Sequence, residues 1–343
     1  MSKEIKCLVW DLDNTLWEGT LLESDQLSLR PEVEHIVKSL DAMGILHSIA
    51  SKNNHAEAIA QLRLFNLDAY FLFPEINWNA KSASIANIQK NLNIGADSIA
   101  FIDDQAFERE EVQSVHPEVY CLDAGEYVNL LGHARFTPRF ITQDSVKRRA
   151  MYQQDMQRQQ DEDGYQGPSE GFLAGLGMEL LISEAGEEDL MRAQELTVRT
   201  NQLNATGRTY SYRELDYFRT SPDHKLLVCE LTDKYGTYGK IGLALIETTP
   251  ACWHLKLMLQ SCRVMTRGVG TIMLNHIMKR TKSANKKLLA DFTETGRNRM
   301  MYLAYKFANF KETGRGPDHT VLLENDLSVI QGYPSYVRVY ENY

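Results

Sequence analysis

The sequence contains few cysteines, and their spacing argues against two common structural roles. Five cysteines are scattered over 343 residues without a CxxC pair. Dispersed thiols in odd number do not suit a disulfide framework or a structural zinc site, and they fit a reducing compartment. The start of the sequence lacks the apolar core of a signal peptide, and no apolar run is long enough to cross a bilayer. We therefore expect a cytoplasmic protein with no membrane partner.

Long runs of one charge are also absent. The 37 Lys and Arg residues and 46 Asp and Glu residues give a net charge of −9. Nucleic-acid phosphates call for basic patches, so we expect no nucleic-acid partner. Hydrophobic residues make up 43% of the chain, which is enough for packed cores, and the length predicts about two domains.

The most informative pattern is an apolar strand at residues 6–10 that leads into Asp11 and Asp13. Ligands of an open parallel sheet lie beyond the carboxyl ends of the strands, where both carboxylates would be. Two carboxylates this close repel each other unless a cation lies between them. Mg²⁺ prefers oxygen ligands and binds phosphate as well. The alternative is a strand that simply ends in polar turn residues.

Three later patterns also place a reactive side chain at a strand end or a helix start. The apolar residues 45–50 end at Ser51, and a helical pattern begins at Lys81. The apolar residues 98–102 lead into Asp103 and Asp104. Taken singly, Ser51 could be a helix cap and Lys81 a solvated lysine.

The run Asp11-Leu12-Asp13-Asn14-Thr15 resembles the first motif of the haloacid dehalogenase-like (HAD) superfamily, and the three later patterns match its other motifs in order. The resemblance implies that Asp11 is the nucleophile that takes up a phosphoryl group. Asp13 would act as general acid and base. Ser51 would bind a phosphoryl oxygen, and Lys81 would offset negative charge.

The same resemblance implies a Mg²⁺ site formed by Asp11, Asp13, Asp103 and Asp104. Asp11 and Asp103 would contribute side chains, and Asp13 its backbone carbonyl. Asp104 would bind the ion through water or orient Lys81.

The insertion points of the first half leave little room for a cap domain over this site. About fifteen residues, 16–30, separate the first motif from the next helix, and one helix and one strand fill the interval between the second and third motifs. An open site could admit a bulky or protein-borne substrate. Asn14 and Thr15 would lie on the substrate side of the loop, where they bind substrate or shape the loop.

The alternation of strands and helices predicts an α/β fold with a doubly wound parallel sheet, including a short strand near residues 69–72. Residues 142–171 are polar and glycine-interrupted, which predicts an exposed helix and a linker. From residue 178 an antiparallel meander precedes a strand, a GxG turn and a helix. This second pattern resembles the mixed α+β fold of the GNAT acetyltransferase superfamily. We expect a HAD-like domain without a large cap at 1–141, a linker at 142–171 and a GNAT-like domain at 172–343.

The order HAD then GNAT resembles the FkbH-like glyceryltransferase/phosphatases of polyketide biosynthesis over essentially the whole chain. The residues that carry the resemblance are 9–17, 51–53, 101–105, 107–111, 200–204 and 261–264. It implies that D-1,3-bisphosphoglycerate is dephosphorylated and that its D-glyceryl group is loaded onto the phosphopantetheine thiol of an acyl carrier protein. The cofactor would be Mg²⁺.

A cysteine thiolate is a good acceptor for the acyl group of an acyl phosphate. Cys7, Cys121 and Cys229 lie within apolar strand-like runs and are expected in the core. Cys262 follows a strand and precedes the GxG turn, so it is the candidate nucleophile. Arg263 and the following helix N-terminus could lower the pKa of its thiol. The alternative is a small buried thiol.

Substrate contacts are expected from Asn201, Gln202, Arg263, Arg267, Gly268 and Gly270. The last three resemble the end of the GNAT pyrophosphate loop, whose backbone amides hold an anion at a helix start. Met265 stands where that loop usually carries arginine or glutamine. This departure argues against acetyl-CoA and leaves room for the single phosphate of phosphopantetheine. For Asn201 and Gln202, a capped turn is an equal alternative.

Two other functions remain open at this point. The chain could be a magnesium-dependent HAD phosphatase whose second half only recognises a protein. It could also be an N-acetyltransferase with a vestigial HAD domain.

Overall fold

The computed structural model describes residues 3–23 and 26–342. Contacts divide the chain into two units, Met1–Gln153 and Gln154–Tyr343. The strands of the first unit are β1 (Cys7–Trp10), β2 (Trp17–Glu18), β3 (Ser28–Leu29), β4 (Leu46–Ser51), β5 (Glu75–Ile76), β6 (Ile99–Asp103) and β7 (Tyr120–Asp123). Its helices are α1 (Val33–Ala42), α2 (His55–Leu64), α3 (Lys81–Leu92), α4 (Ala106–Val115) and α5 (Gln143–Val146), and α6 (Arg148–Gly164) contains the division between the units.

The first unit is built on a five-stranded parallel sheet with the order β5-β4-β1-β6-β7. The chain runs outward from β1 through β4 to β5 and then returns to the other side of β1 at β6. This reversal makes the sheet doubly wound and opens a crevice at the carboxyl ends of its central strands. All four residues of β1 are buried, as expected for the middle of a parallel sheet.

The loop between β1 and α1 carries only a short hairpin among its described residues. Strands β2 and β3 pair through Trp17 with Leu29 and Glu18 with Ser28. Residues 24 and 25 of the predicted interval 16–30 lie outside the described part of the chain. The described residues of this interval therefore form no large cap.

The strand predicted near residues 69–72 is wrong. Asp68–Tyr70 form a 3₁₀ turn, and only Phe71 makes a single bridge to the sheet, at His47. The chain pairs with β4 later, through Glu75 and Ile76. Asn66 ends the preceding helix with a positive φ of 57°, and this tight exit places the next residues in a turn before they reach the sheet edge.

His47 ties the sheet to helix α1. The indole N–H of Trp10 donates to His47 Nδ1 at 3.1 Å, and His47 Nε2 lies 3.0 Å from the carbonyl oxygen of Val37. The ring is fully buried, and burial lowers the pKa of His47 to about 3. The imidazole is therefore neutral, with its proton on Nε2.

We predict that His47 makes the stability of the first unit fall in mild acid. Its folded pKa lies below the unfolded value of about 6.5, so the unfolded chain takes up the proton first as the pH falls. From about pH 7.5 to about pH 5.5 this linkage costs about 1.4 kcal/mol. In urea unfolding, the free energy of unfolding of His47→Gln should not show this decrease between the two pH values. The exposed His35→Gln should keep the wild-type pH dependence, and an unchanged pH dependence in His47→Gln would contradict the prediction.

The strands of the second unit are β8 (Met178–Glu184), β9 (His224–Asp233), β10 (Gly236–Thr248), β11 (Cys252–Gln260), β12 (Lys287–Phe292), β13 (Lys311–Arg315), β14 (Val321–Asn325) and β15 (Val337–Asn342). Its helices are α7 (Ser169–Gly175), α8 (Leu190–Arg199), α9 (Tyr212–Thr220), α10 (Val269–Ser283) and α11 (Arg299–Phe307), and a 3₁₀ segment covers Cys262–Arg267.

The second unit has one eight-stranded sheet with the order β13-β14-β12-β11-β10-β9-β8-β15. Strands β8 to β11 form the predicted antiparallel meander, and β12 is parallel to β11 after the crossover through α10. Strand β14 inserts antiparallel between β12 and β13. The sequence pattern did not indicate β13, β14 or β15, which lie at or near the sheet edges, and every residue of β13 is exposed.

Strands β11 and β12 separate after a short paired region. They pair only from Cys252 to Leu255 of β11. Lys256 is an extra residue in the β11 ladder with β10, and such a bulge bends a strand. Beyond it the free edge of β11 is taken by the segment 203–205, since Ala205 N donates to Met258 O at 2.9 Å.

The segment at residues 142–171, predicted as an exposed helix and a linker, is largely helical and has buried as well as exposed residues. It contains α5, α6 and the beginning of α7. Met151 and Arg158 are buried. Arg158 donates to both carboxylate oxygens of Asp233, at 2.7 and 2.9 Å, which explains why this charged side chain leaves solvent. Among the described residues, no helix has the length and apolar composition needed to span a membrane.

Candidate active site

Three polar side chains meet where the central strands of the first sheet end. Trp10, the last residue of β1, pairs with Ile49 of β4 and Ile102 of β6. Asp11 therefore follows one strand end while Ser51 and Asp103 close the two neighbouring strands. The sheet topology brings these positions together although they are far apart in the chain.

Lys81 is the centre of this cluster. Its ammonium Nζ lies 2.5 Å from Asp11 Oδ1, 2.9 Å from Asp103 Oδ2 and 2.9 Å from Glu108 Oε2. The lysine side chain is only 2% exposed. It is the first residue of α3, so the helix start aims its side chain at the strand ends. The solvated lysine considered from sequence is thus not what the structure shows.

Glu108 is a member of the cluster that the sequence prediction did not assign. Single oxygens of Asp11, Asp103 and Glu108 lie within 4.8 Å of one another, a group that can hold a metal ion. Glu108 also pairs with Lys52 at 2.7 Å. The available signal was its position five residues after Asp103, in the first turn of a predicted helix, but acids there usually face solvent.

Burial and charge crowding shift the ionisation of the cluster. Burial, reinforced by the charge of Asp11, raises the pKa of Asp103 to about 7. Burial also raises the pKa of Asp11, although the contact with Lys81 opposes it. Burial lowers the pKa of Lys81, but Asp11 and Asp103 outweigh this effect and raise it above its usual value. The cluster therefore holds its lysine charged among carboxylates that crowd one another.

Asp13 is held separately from this group by three N–H donors. Trp17 Nε1 donates to Asp13 Oδ1 at 2.8 Å and Leu21 N donates to the same oxygen at 3.1 Å. Asn53 Nδ2 donates to Asp13 Oδ2 at 3.0 Å. Ser51 is buried and its hydroxyl hydrogen-bonds Asp11. These contacts fix the side chains of Asp13 and Ser51.

Asn14, Thr15 and Asp104 shape the surrounding loops. Asn14 has a positive φ of 52°, and its side-chain oxygen accepts from Gly19 N at 3.2 Å. Thr15 is buried and its hydroxyl accepts from Asp104 N at 3.1 Å. Asp104 stays outside the group of carboxylates that can share an ion, and its buried Oδ1 has no hydrogen-bond partner among the described residues. Burial raises the pKa of Asp104.

The second unit contains a cavity of about 290 Å³ where β11 and β12 have separated. Its walls come mainly from β11, α10 and α11. Gly268 directly precedes α10 with a φ of 77°, and a Cβ at Gly270 would lie 3.0 Å from the amide of Gln260. Both glycines thus allow the close approach of the helix start to the cavity.

Two buried amides face this cavity without a partner. Gln260 is 8% exposed and Asn275 is 3% exposed, and both line the cavity. Gln260 Oε1 and Asn275 Nδ2 have no hydrogen-bond partner among the described residues. An unsatisfied buried polar atom is costly, so these two atoms are available to hydrogen-bond water or a ligand in the cavity.

The expected activation of Cys262 is not found. Cys262 is exposed and begins the 3₁₀ segment before α10. Partial burial raises the pKa of its thiol, and a backbone hydrogen bond only partly offsets this. Arg263 instead donates to the carbonyl oxygen of Tyr238 at 2.9 Å. The prediction that Arg263 and the helix N-terminus lower this pKa is therefore wrong.

Of the other expected binding residues, Gly268 and Gly270 line the cavity, whereas Arg267 pairs with Glu162 at 3.0 Å. Asn201 and Gln202 are exposed. The nearby Asn204 has the turn role considered as an alternative, because its side-chain oxygen accepts from Thr206 N and Gly207 N.

No family model matches the chain. Human magnesium-dependent phosphatase 1 is 29% identical in an alignment 149 residues long, which covers 38% of this chain and 84% of that protein. The solved N-terminal part of a Bacteroides fragilis protein, which contains a phosphatase domain and was complexed with Mg, is 32% identical at a TM-score of 0.31. That match covers 38% of this chain and 40% of the other, so this chain spans less than half of its length.

Two further solved structures match about two fifths of this chain at low identity. The GNAT domain of S. lividans PAT is 16% identical at a TM-score of 0.34, covering 42% of this chain and 88% of that one. Ard1 from Thermoplasma volcanium is 13% identical at a TM-score of 0.33, and the match covers 43% of this chain and 96% of that one.

Strand order and site residues define the class of the two units. The doubly wound parallel sheet with Asp11, Ser51, Lys81 and Asp103 at its carboxyl ends has a HAD-like fold. The meander, the crossover helix and the separated strands of the second sheet have a GNAT-like fold. The chain is therefore a fusion of a HAD-like unit and a GNAT-like unit.

We predict that Lys81→Met destabilises the first unit in a pH-dependent way. Removing one partner of a buried ion pair costs roughly 3–5 kcal/mol, and here three carboxylates lose it. In the folded variant the pKa values of these three carboxylates should rise, so the carboxylates take up protons in mild acid. The loss of stability relative to the wild type should therefore shrink from about pH 7.5 to about pH 5.5. Urea unfolding measures both effects. Lys38→Met, which breaks an exposed pair with Glu34, serves as control, and a deficit that grows in acid would contradict the prediction.

Proposed function

We propose that the protein is a magnesium-dependent phosphatase and acyltransferase. It would take D-1,3-bisphosphoglycerate, remove its phosphates and load the D-glyceryl group onto the phosphopantetheine thiol of an acyl carrier protein. The observation that carries the phosphatase part is the buried group of Asp11, Asp103 and Glu108 around Lys81. The similarity to human magnesium-dependent phosphatase 1 over 149 residues supports the same part.

Phosphate removal from C3 would use Asp11 as nucleophile. Its carboxylate attacks phosphorus, the bond between phosphorus and the C3 oxygen breaks, and that oxygen takes a proton from Asp13. Water then attacks the phospho-aspartate and gives its proton to Asp13, which releases inorganic phosphate and restores Asp11. Lys81 would stabilise the charge of the transferring group because its ammonium already contacts Asp11.

The cluster of carboxylates formed by Asp11, Asp103 and Glu108 fits a Mg²⁺ ion. All of its donors are oxygens, which this hard cation prefers. The crowding that raises the pKa of Asp103 to about 7 would be relieved by a divalent cation. Asp11, Asp103 and Glu108 would hold the ion, with the backbone carbonyl of Asp13 as a further ligand. Bound Mg²⁺ would polarise phosphoryl oxygens and offset their charge.

Acyl transfer would use the reactive C1 acyl phosphate of the same substrate. The thiolate of Cys262 attacks C1, the bond between C1 and the phosphate oxygen breaks, and phosphate leaves with the electron pair. The thiolate of the carrier's phosphopantetheine then attacks C1 of the thioester, and the departing sulfur of Cys262 takes a proton from solvent. A thiol of raised pKa is rarely ionised but is a strong nucleophile once it is.

The cavity of the second unit supports a role in binding the carrier's arm. Phosphopantetheine has one phosphate and two amides along a thin chain. The N-terminus of α10 at Gly268 and Gly270 offers backbone N–H groups for the phosphate. Gln260 and Asn275 offer an unpaired acceptor and an unpaired donor for amides or hydroxyls. Contacts of the carrier's arm with Gln260 and Asn275 would replace the contact expected from Arg267.

One alternative keeps the phosphatase and assigns only protein recognition to the second unit. Cys262 favours it, because burial raises its thiol pKa and it is not among the described residues that line the cavity. The third possibility is an N-acetyltransferase with a vestigial first unit. It has less support because Asp11, Asp103 and Glu108 still form a group around Lys81 that can hold a metal ion.

We predict that Asp11→Asn abolishes phosphate release from 3-phosphoglycerate, which carries only the C3 phosphate that Asp11 is proposed to remove. The amide is nearly isosteric but cannot act as nucleophile, so the rate should fall roughly a thousandfold or more. A phosphate-release assay measures the rate, and circular dichroism checks folding. The remote Asp68→Asn should be active. Wild-type phosphate release by folded Asp11→Asn would refute the phosphatase assignment.

We predict that Cys262→Ala removes a covalent glyceryl adduct and stops carrier loading. The expected adduct appears in intact-protein mass spectrometry of the wild type after incubation with 1,3-bisphosphoglycerate and Mg²⁺. Phosphate release from 3-phosphoglycerate should persist, because the first unit is unchanged. Cys252→Ala serves as the matched control. Carrier loading by Cys262→Ala at the wild-type rate would refute the acyl-cysteine intermediate.

A further inference from the structure

The charge of the chain is distributed very unevenly. Residues 262–311 contain eleven Lys and Arg residues and only two acids, Asp291 and Glu294, which gives +9, whereas the whole chain carries −9. This basic segment comprises the 3₁₀ turn after β11, helix α10, strand β12 and helix α11. Helices α10 and α11, which supply much of the cavity wall, therefore belong to the basic segment.

The mouth of the cavity is apolar. Four of the side chains that line it, Met265, Met300, Phe307 and Val329, are also exposed to solvent, and Phe307 is 81% exposed. We refer to these four residues as the cavity rim. Exposed apolar side chains gathered around an opening typically mark a surface that a partner covers.

Two cations of α11 adjoin the cavity rim. Arg299 directly precedes Met300 and Lys306 directly precedes Phe307, and the seven-residue spacing puts both cations on one side of the helix. Both are exposed. Neither forms an ion pair within the described part of the chain, whereas Lys287 and Lys311 pair with Glu324 and Asp326. Their charge is therefore available to a partner.

We propose that the cavity rim, with Arg299 and Lys306, is the docking surface for an acidic carrier protein whose thiol-bearing arm enters the cavity. The inference rests on the proposed acyl transfer and specifies where the partner binds. Positive charge around an apolar centre complements an acidic surface with apolar side chains, and such charges steer association. The exposed aromatic Phe307 is the kind of side chain that contributes strongly to an interface.

The experiment compares binding and loading of a small acidic holo-acyl carrier protein by the full chain and its variants. Arg299→Glu/Lys306→Glu should weaken binding in fluorescence anisotropy at least tenfold at about 50 mM salt, and less at about 300 mM, where charges are screened. The KM for the carrier should rise with little change in kcat. Phe307→Ala should also weaken binding, with a smaller dependence on salt. Loading of free pantetheine by the double variant should stay at the wild-type rate.

The control is Arg213→Glu/Lys147→Glu, which makes the same charge change at exposed positions outside the basic segment and should bind as the wild type does. Equal weakening by this control would overturn the docking surface, because binding would then follow net charge alone. Wild-type binding and loading by Arg299→Glu/Lys306→Glu would overturn it while leaving acyl transfer intact. The docking surface is also refuted if the double variant loses affinity for coenzyme A or DNA but not for the carrier. A wild type that loads neither carrier nor pantetheine would refute the proposed function as well.

Discussion

The ammonium group of Lys81 is the interaction on which the site of the first unit depends. Asp11, Asp103 and Glu108 bring oxygens within 4.8 Å of one another in a region that solvent barely reaches. Without a cation, such a group would protonate or push its elements apart. Lys81 contacts all three acids, so the start of α3, the first turn of α4 and the ends of β1 and β6 must keep their mutual positions.

The second unit handles buried polar groups differently. Its bulge at Lys256 and the segment 203–205 separate β11 from β12. In the resulting cavity, Gln260 Oε1 and Asn275 Nδ2 have no hydrogen-bond partner in the part of the chain that the structure describes. Each unsatisfied buried polar group costs about 1–3 kcal/mol. The first unit thus pairs its buried carboxylates with a lysine of its own, whereas the second leaves hydrogen-bonding capacity for whatever fills its cavity.

Local patterns predicted the positions of Asp11, Ser51, Lys81 and Asp103, because a strand end or a helix start is visible in a few consecutive residues. The patterns failed where the deciding neighbour is distant. Glu108 looks like an ordinary solvent-facing acid of a helix until Lys81 and Lys52 approach it. The ionisation of Cys262 depends on where Arg263 points and on partial burial, neither of which is encoded in adjacent residues.

The sequence by itself determined the order of the two fold types, the meander of the second sheet and four of the side chains at the first site. Each of these follows from periodicity or turn chemistry over short stretches. Tertiary structure alone decided that Glu108 joins the cluster while Asp104 does not, and that a cavity opens beside α10. The reason is physical: burial and electrostatic pairing depend on distances between side chains separated by many residues, and only the folded chain sets those distances.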